Sequence, residues 1–424
     1  MSKNQTNKKD EIKEKAGTTL TSSKQKITAL TGAHAVAEAM RQINPDVVAV
    51  FPITPQTEIM EQFAQYHADG IVDSEIIRTE SEHSSMSCVV GASAAGARAM
   101  TATSSAGLAY MWEVVGIASG LRLPIVMPVV NRALSAPINI HCDHSDAMGC
   151  RDHGWIMLFC ENAQEAYDAT ILAVKLAEHP EVMLPVMVCQ DGFITSHAIQ
   201  NIKVYDDKIV KNFVREYKPR KWLLNTDEPV TVGPLQLTDY YFESQKQRAD
   251  AIFRAKEIYL EVGKEFSGIT GKKHLLFESY MLDDAEAVVV VMSSTAGTTK
   301  AVIDKLRKEG RKVGLLKPIL FRPFPYEEVS KALQGKKYIA VLDRSESYGA
   351  NAPLYGEVKN AIYDLTNNKS ENNKEMPKLK SYIFGLGGRD IFEDDIEKVF
   401  KDLINGNIEE KKVGYIGLRG EKVE

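Results

Sequence analysis

The sequence predicts an α/β protein built from two doubly wound units, and three observations carry that expectation. The chain has 424 residues, more than one ordinary core accommodates and enough for two or three domains. Apolar strand-like runs alternate with helix-like stretches from residue 31 to about 192, the signature of a parallel sheet with helices on both faces. The alternation lapses and then resumes from residue 286.

In order, Thr31 opens a helix that runs to about Ile43, followed by a strand VVAVF at 47–51 and a turn at PITP. A helix through 56–66 and a strand around EIIRT come next. The small-residue stretch SSMSCVVGASAAGARA reads as a helix whose Gly and Ala positions let a neighbour approach closely, and strands at AMTAT, IVMPVV and VMLPVMVC complete the first sheet. Residues 200–275 carry scattered Pro, Trp and Tyr and a charged helical stretch, and read as a connector. The second unit expects strands at AVVVVMSS, KVGLLKP, YIAVLDRS and SYIFG, with helices at 297–308, 326–334, 353–364 and 391–404. Within it NNKSENNKEMPKLK at 367–380 is too poor in apolar groups to order itself and is expected to be a mobile surface loop. The expected division is a polar tail at 1–26, an α/β domain at 27–200, a connector at 201–280 and a smaller α/β domain at 281–424.

Composition excludes several classes. A net charge of -5 gives no general attraction to nucleic acid. The longest apolar runs, IVMPVV and AVVVVM, fall far short of the roughly 20 residues of a membrane helix. The lysine-bearing tail lacks the apolar segment that export requires, which places the protein in the cytoplasm. Cys88, Cys142, Cys150, Cys160 and Cys189 form no C-x-x-C pair, so most read as packing residues; their wide spacing argues against an iron–sulfur cluster held by this chain alone, and if electrons are moved another subunit carries them.

Four segments carry candidate chemistry. FPITPQTEIMEQF sets Thr54 at the carboxyl end of a strand, where open α/β sheets bind ligands; it equally reads as an N-cap turn with Pro55 at the first helical position. RTESEHSS places Thr79 and Glu82 three apart, a capping box on one reading. On the other, Glu82 is a carboxylate at the mouth of a dry helix interface. NRALSAPINIHCDHSDAMGCRDHGW puts Arg132 just past a strand end, where its planar fork suits a carboxylate. The His and Asp residues behind it lack the helical spacing of a zinc motif, and no metal ligand is assigned in this chain. GLGGRD at Gly385 to Asp390 departs from the dinucleotide fingerprint at its sixth position and reads as a tight turn.

Together ITPQT, ESEHSS…GASAAGARAMT, NRALSAP…DHSD, DGFITSH, LDRSESYGANAPLYGEV and FGLGGRD resemble the alpha subunits of the 2-oxoacid:ferredoxin oxidoreductase family, the pyruvate:ferredoxin oxidoreductases in particular. The resemblance covers nearly the whole chain after the tail. It implies a thiamine-diphosphate pyrimidine-binding doubly wound domain followed by a transketolase-C-terminal-like α/β domain. It further implies conversion of pyruvate, coenzyme A and oxidised ferredoxin or flavodoxin to acetyl-CoA, CO₂ and reduced carrier. By motif position Glu82 would hydrogen-bond the pyrimidine ring nitrogen, favouring the imino tautomer that removes the thiazolium C2 proton. Arg132 and Thr54 would bind the substrate. The family's Gly-Asp-Gly segment for Mg²⁺ and diphosphate is missing, with Gln190-Asp191-Gly192 the nearest approach. The resemblance therefore implies a beta subunit sharing the thiamine diphosphate, and partner subunits, gamma and delta included, holding Mg²⁺ and [4Fe–4S] clusters. Other members act on 2-oxoglutarate, oxalate or branched-chain 2-oxoacids, and the beta subunit of a 2-oxoacid dehydrogenase shares the domain order; these alternatives stay open.

Overall fold

The structure, a computed structural model, describes residues 25–367, 376–406, 408 and 412–420. The elements of the first half are β1 (Gln25–Thr31), α1 (Gly32–Ile43), β2 (Val47–Val50), α2 (Thr57–Ala68), β3 (Glu75–Arg78), α3 (Glu82–Ala94), β4 (Ala99–Met100), α4 (Ser105–Tyr110), α5 (Trp112–Gly120) and β5 (Val126–Asn131). They continue as α6 (Ser145–Gly149), β6 (Ile156–Cys160), α7 (Ala163–Ala177), β7 (Val186–Asp191), β8 (Ile199–Tyr205), α8 (Asp207–Val214) and α9 (Tyr241–Thr270). The second half holds β9 (Phe277–Tyr280), β10 (Ala287–Val291), α10 (Thr295–Lys308), β11 (Val313–Pro318), β12 (Leu320–Arg322), α11 (Tyr326–Leu333), β13 (Tyr338–Asp343), α12 (Pro353–Asn367), β14 (Lys378–Phe384), α13 (Glu393–Ile404) and β15 (Gly414–Ile416).

Seven strands form the first sheet, in the order β12-β6-β7-β5-β4-β2-β3, and all pair in parallel except β12. The second sheet runs β15-β14-β13-β10-β11-β9, parallel but for β9. Strands β5, β6, β7 and β10 are buried along their whole length, which is why they read as unbroken apolar runs rather than as an alternation. The helix expected from Thr31 has a physical cap, the Thr31 hydroxyl accepting the His34 N–H at 3.1 Å, and α7 is capped in the same way by the Asn162 side chain, which accepts the Glu165 N–H at 3.0 Å.

Several expectations need correction. Strand β6 and helix α7, between Ile156 and Ala177, were absent from the sequence reading. Of the polar tail, residues 1–24 lie outside the described residues, while Gln25 and Lys26 open β1, which pairs antiparallel with β8. Much of the segment read as a connector is packed structure: Ala251, Ala255, Ile258, Tyr259, Val262 and Phe266 of α9 belong to the core that α1 and α7 share. Its charged outer face hid that inner stripe. Of the expected loop at 367–380, residues 368–375 lie outside the described residues and Lys378–Lys380 begin β14.

The two sheets do not stand apart. Strand β12, from the second half of the chain, closes the edge of the first sheet against β6. Beside it Lys317, with no exposed surface, reaches Glu161 at 2.5 Å, Glu165 at 2.8 Å and Glu278 at 2.8 Å. Burial opposes a charge there, but three carboxylates hold the ammonium above its usual range. Because Glu161 and Glu165 come from the β6–α7 junction and Glu278 from β9, this cluster ties the halves together.

Candidate active site

The carboxyl ends of β2, β3, β4, β5 and β7 carry every residue the sequence singled out in the first sheet, the edge at which open parallel sheets bind ligands. Thr54 follows β2, in an exposed turn whose Thr54–Pro55 peptide is cis. Pro55 is not the first helical residue, as one reading had it: Gln56 is the N-cap of α2 and Thr57 its first residue. Opposite this turn, Arg132 follows β5 and is only 7% exposed. Its Nη1 donates to the Thr54 main-chain oxygen at 2.9 Å and its Nε to the Asn139 oxygen at 2.9 Å. Nη2 has no protein partner among the described residues. Gly192 fits between them because it lacks a side chain: a Cβ there would lie 2.5 Å from the Asn131 oxygen and 2.9 Å from Pro55.

Glu82 does not complete a capping box with Thr79. Thr79 is still paired to β2 through its N–H to Val50 at 3.1 Å, so the helix starts later, with Ser81 as N-cap accepting the Ser84 N–H at 3.2 Å. Glu82 is therefore the first residue of α3, 8% exposed, and its carboxylate makes no hydrogen bond among the described residues. A carboxylate taken from water without a partner is costly, so an unpaired one invites a donor from outside the chain. Next to it, the fully buried Thr103 hydroxyl also lacks a partner. Both crowd Gly107 of α4: a Cβ there would meet Thr103 Oγ1 at 2.6 Å and Glu82 Oε1 at 2.8 Å. The absent side chain leaves room for both oxygens against α4. A buried, unpaired acceptor can take a hydrogen bond from the polar edge of a heteroaromatic ring.

Behind this edge lies a second polar centre, which sequence reasoning assigned no role. Asp191, wholly buried, shares a hydrogen bond with His144 Nε2 at 2.7 Å, accepts the Ser294 N–H at 3.2 Å and the Ser294 hydroxyl, and faces Arg344 at 3.5 Å. Burial alone would push its carboxyl up, but the Arg344 guanidinium and His144 hold it well below the usual carboxylate range. Ser294 and Arg344 come from the ends of β10 and β13, so the second sheet is docked on the first through this residue. The GLGGRD turn joins the same contact, a tight turn as expected: Gly385, Gly387 and Gly388 have φ of 62°, 61° and 79°, and the Gly388 N–H donates to the Cys142 oxygen at 2.6 Å. Asn139 Nδ2 donates to the Gly387 oxygen at 3.0 Å, which braces the loop that holds Arg132. Cys142, His144 and Asp191 cluster closely enough to suggest a metal, as do Glu161, Glu165 and Glu278, but each group already encloses a cation of the chain, Arg344 and Lys317.

Comparison with known proteins gives the class: the family model that matches the first half of the chain is that of a thiamine-diphosphate-binding domain. Residues 38–264 match the family model for pyruvate flavodoxin/ferredoxin oxidoreductase, thiamine-diphosphate-binding, and residues 285–396 match the pyruvate:ferredoxin oxidoreductase core domain II. The chain is 58% identical over 391 residues to a Thermotoga maritima protein named pyruvate synthase subunit PorA, covering 92% of this chain and 98% of that one. A Methanocaldococcus jannaschii protein of the same name is 45% identical, covering 93% and 98%. Among solved structures, a 2-oxoglutarate:ferredoxin oxidoreductase from Magnetococcus marinus superposes with a TM-score of 0.67 at 20% identity, over 89% of this chain and 65% of that one. A split-gene transketolase shares the fold with a TM-score of 0.52 at 10% identity, covering 89% and 99%. The chain belongs to the pyruvate flavodoxin/ferredoxin oxidoreductase family.

Proposed function

We propose that the chain is the alpha subunit of a pyruvate:ferredoxin oxidoreductase, and that it supplies the pyrimidine side and the substrate side of an active site completed by a beta subunit. The observation that carries this reading is the buried, unpaired Glu82 carboxylate at the same sheet edge as the Arg132–Thr54 pair, in a chain 58% identical to a pyruvate synthase subunit. The reaction is the reversible conversion of pyruvate and coenzyme A to acetyl-CoA and CO₂, with two electrons passed to ferredoxin or flavodoxin.

Bound thiamine diphosphate supplies the acidic carbon that attacks the 2-oxo group and accepts the electrons left by decarboxylation. Glu82 holds a proton at the pyrimidine ring nitrogen, and its dry site keeps that bond strong. Arg132 presents Nη2 to the substrate carboxylate while its other nitrogens stay fixed to Thr54 and Asn139. The Thr54 hydroxyl, exposed beside them, bonds the substrate oxygens. Residues 27–200 and 281–424 are proposed as the pyrimidine-binding and transketolase-C-terminal-like domains, joined by 201–280.

Mg²⁺, the diphosphate and the [4Fe–4S] clusters belong on this reading to partner subunits, beta for the cofactor and gamma and delta for electron transfer, in the cytoplasm. Tyr110, Trp112 and Ile117, 60%, 52% and 41% exposed, give an apolar face beside the start of α3, where the His83 and Tyr110 rings lie 6.0 Å apart. The beta subunit is proposed to cover it. A ketoisovalerate oxidoreductase subunit from Pyrococcus abyssi is 40% identical, which favours branched-chain 2-oxoacids as the second reading. Substrate profiling of the purified complex with a low-potential dye decides between them: pyruvate as the preferred substrate supports the first reading, and preference for a branched 2-oxoacid overturns it.

A further inference from the structure

Asp146 touches neither the Thr54 turn nor Glu82, yet it connects the segments that carry both sides of the site. It lies in the first turn of α6, 2% exposed, and each of its oxygens accepts two hydrogen bonds. Oδ2 takes the main-chain N–H of Ser105 at 2.9 Å and that of Arg132 at 3.0 Å. Oδ1 takes Asn131 Nδ2 at 2.9 Å and the Ala147 N–H at 2.7 Å. A carboxylate is the one small side chain able to accept from four donors at once.

Two of those donors have separate consequences. The Arg132 N–H fixes where the backbone leaves β5, and so where the guanidinium starts. The Ser105 N–H fixes the start of α4, whose Gly107 forms the wall that Glu82 and Thr103 press against. Ser105 has φ of 46°, a region that residues with a side chain adopt at a cost, and its hydroxyl is tied to the Ala133 oxygen at 2.5 Å. That turn holds its shape because it is bonded on both sides, by Asp146 to the N–H and by Ala133 to the hydroxyl. No cation contributes: all four donors are neutral amides, and burial pushes the carboxyl up to about 6.

We propose that Asp146 is a positioning residue that sets the Arg132 backbone and the α4 turn in register, and so sets the substrate-binding arginine relative to the Glu82 carboxylate. The proposal rests on the reading of Arg132 as the substrate clamp.

The structure also says which replacement is tolerated. Asn131 Oδ1 is buried without a partner. In Asp146→Asn the new side-chain oxygen keeps Ser105 and Arg132, and Asn131 turns its amide over so that this idle oxygen accepts from the new NH₂. The Ala147 N–H and the Asn131 NH₂ lose their acceptor, while the two main-chain bonds to Ser105 and Arg132 stay. Asp146→Ala loses all four bonds.

The test uses the assembled complex, measuring KM for pyruvate, equilibrium binding of oxamate, an unreactive carboxylate of similar shape, and hydrogen–deuterium exchange at C2 of the bound cofactor. Asp146→Ala should weaken both pyruvate KM and oxamate binding on the order of tenfold or more and slow C2 exchange, with Asp146→Asn staying within about threefold of wild type. Asp146→Ser, which keeps one acceptor, gives the same readout where the alanine variant does not assemble. A merely structural role would lower the yield of active complex and leave KM and oxamate affinity untouched, and that result overturns the proposal. Arg132→Ala, measured alongside, separates the two failures. Unchanged oxamate affinity in Arg132→Ala removes the clamp and the positioning role with it; weakened affinity there with none in Asp146→Ala removes only the positioning role.

Discussion

Arg132 donates from Nη1 to the main-chain oxygen of Thr54 across 2.9 Å, so the residue proposed to bind the substrate carboxylate is anchored to the turn on the other side of the site. A second bond, from Nε to Asn139 at 2.9 Å, fixes the plane of the guanidinium. The arginine is pre-organised, and little side-chain freedom is left for a ligand to remove.

Replacing Arg132 by Ala should therefore lower kcat/KM for pyruvate on the order of tenfold to a hundredfold, the range for losing charge-assisted hydrogen bonds. Arg132→Lys should not restore it, since one ammonium cannot hold two carbonyls and a carboxylate in the planar fork geometry. Steady-state kinetics of the complex check both; a lysine variant at wild-type efficiency would show that charge alone suffices.

Glu82 separates from a simple helix-start residue through Glu82→Gln. The helix is capped by Ser81, so stability and assembly should change little. Exchange of the C2 hydrogen in bound thiamine diphosphate should slow severely, because an amide has no acidic proton to share with the ring nitrogen. Normal exchange in the variant would return Glu82 to a structural role.

Gly107→Ala probes the same pocket by crowding. The added methyl would stand 2.6 Å from Thr103 Oγ1 and 2.8 Å from Glu82 Oε1, well inside contact distance. The Glu82 side chain must swing aside, so cofactor affinity and turnover should fall together, with a stability loss of about 1–3 kcal/mol. Wild-type turnover would mean that the carboxylate position is not critical.

Asp191→Ala should loosen the two halves of the chain. It leaves Arg344 and His144 buried without their carboxylate, a change that costs about 3–5 kcal/mol when a buried pair is broken. Because the folded carboxyl sits below its usual range, its contribution is present above about pH 4 and is lost only as pH falls beneath that. Thermal unfolding of the variant and wild type at pH 7 and pH 3 measures this, and the gap between them should narrow in acid.

The isolated chain should bind thiamine diphosphate with Mg²⁺ weakly or not at all, and the beta subunit should restore binding. On the proposed reading the diphosphate and Mg²⁺ would be held through a Gly-Asp-Gly segment, which this chain lacks and the beta subunit would supply. Isothermal titration compares the two preparations; tight Mg²⁺-dependent binding by the chain alone would contradict the half-site reading.

The sequence by itself determined the strands and helices whose burial is uniform. AVVVVM, IVMPVV and the helix from Thr31 were legible because a wholly apolar strand or a capped amphipathic helix states its environment in its own residues. Motif order placed Thr54, Glu82 and Arg132 at strand ends. It did not show β6 and α7, and it read α9 as a connector because charge on one face concealed the apolar stripe on the other. Only the tertiary structure decided that Ser81 rather than Thr79 caps α3, since that depends on Thr79 pairing with Val50 across a gap of 29 residues. Asp146 and Asp191 looked like two acids among many in a polar loop. What each does is set by donors from Ser105, Arg132, Ser294 and Arg344, and hydrogen bonds between residues distant in the chain leave no pattern in a single sequence.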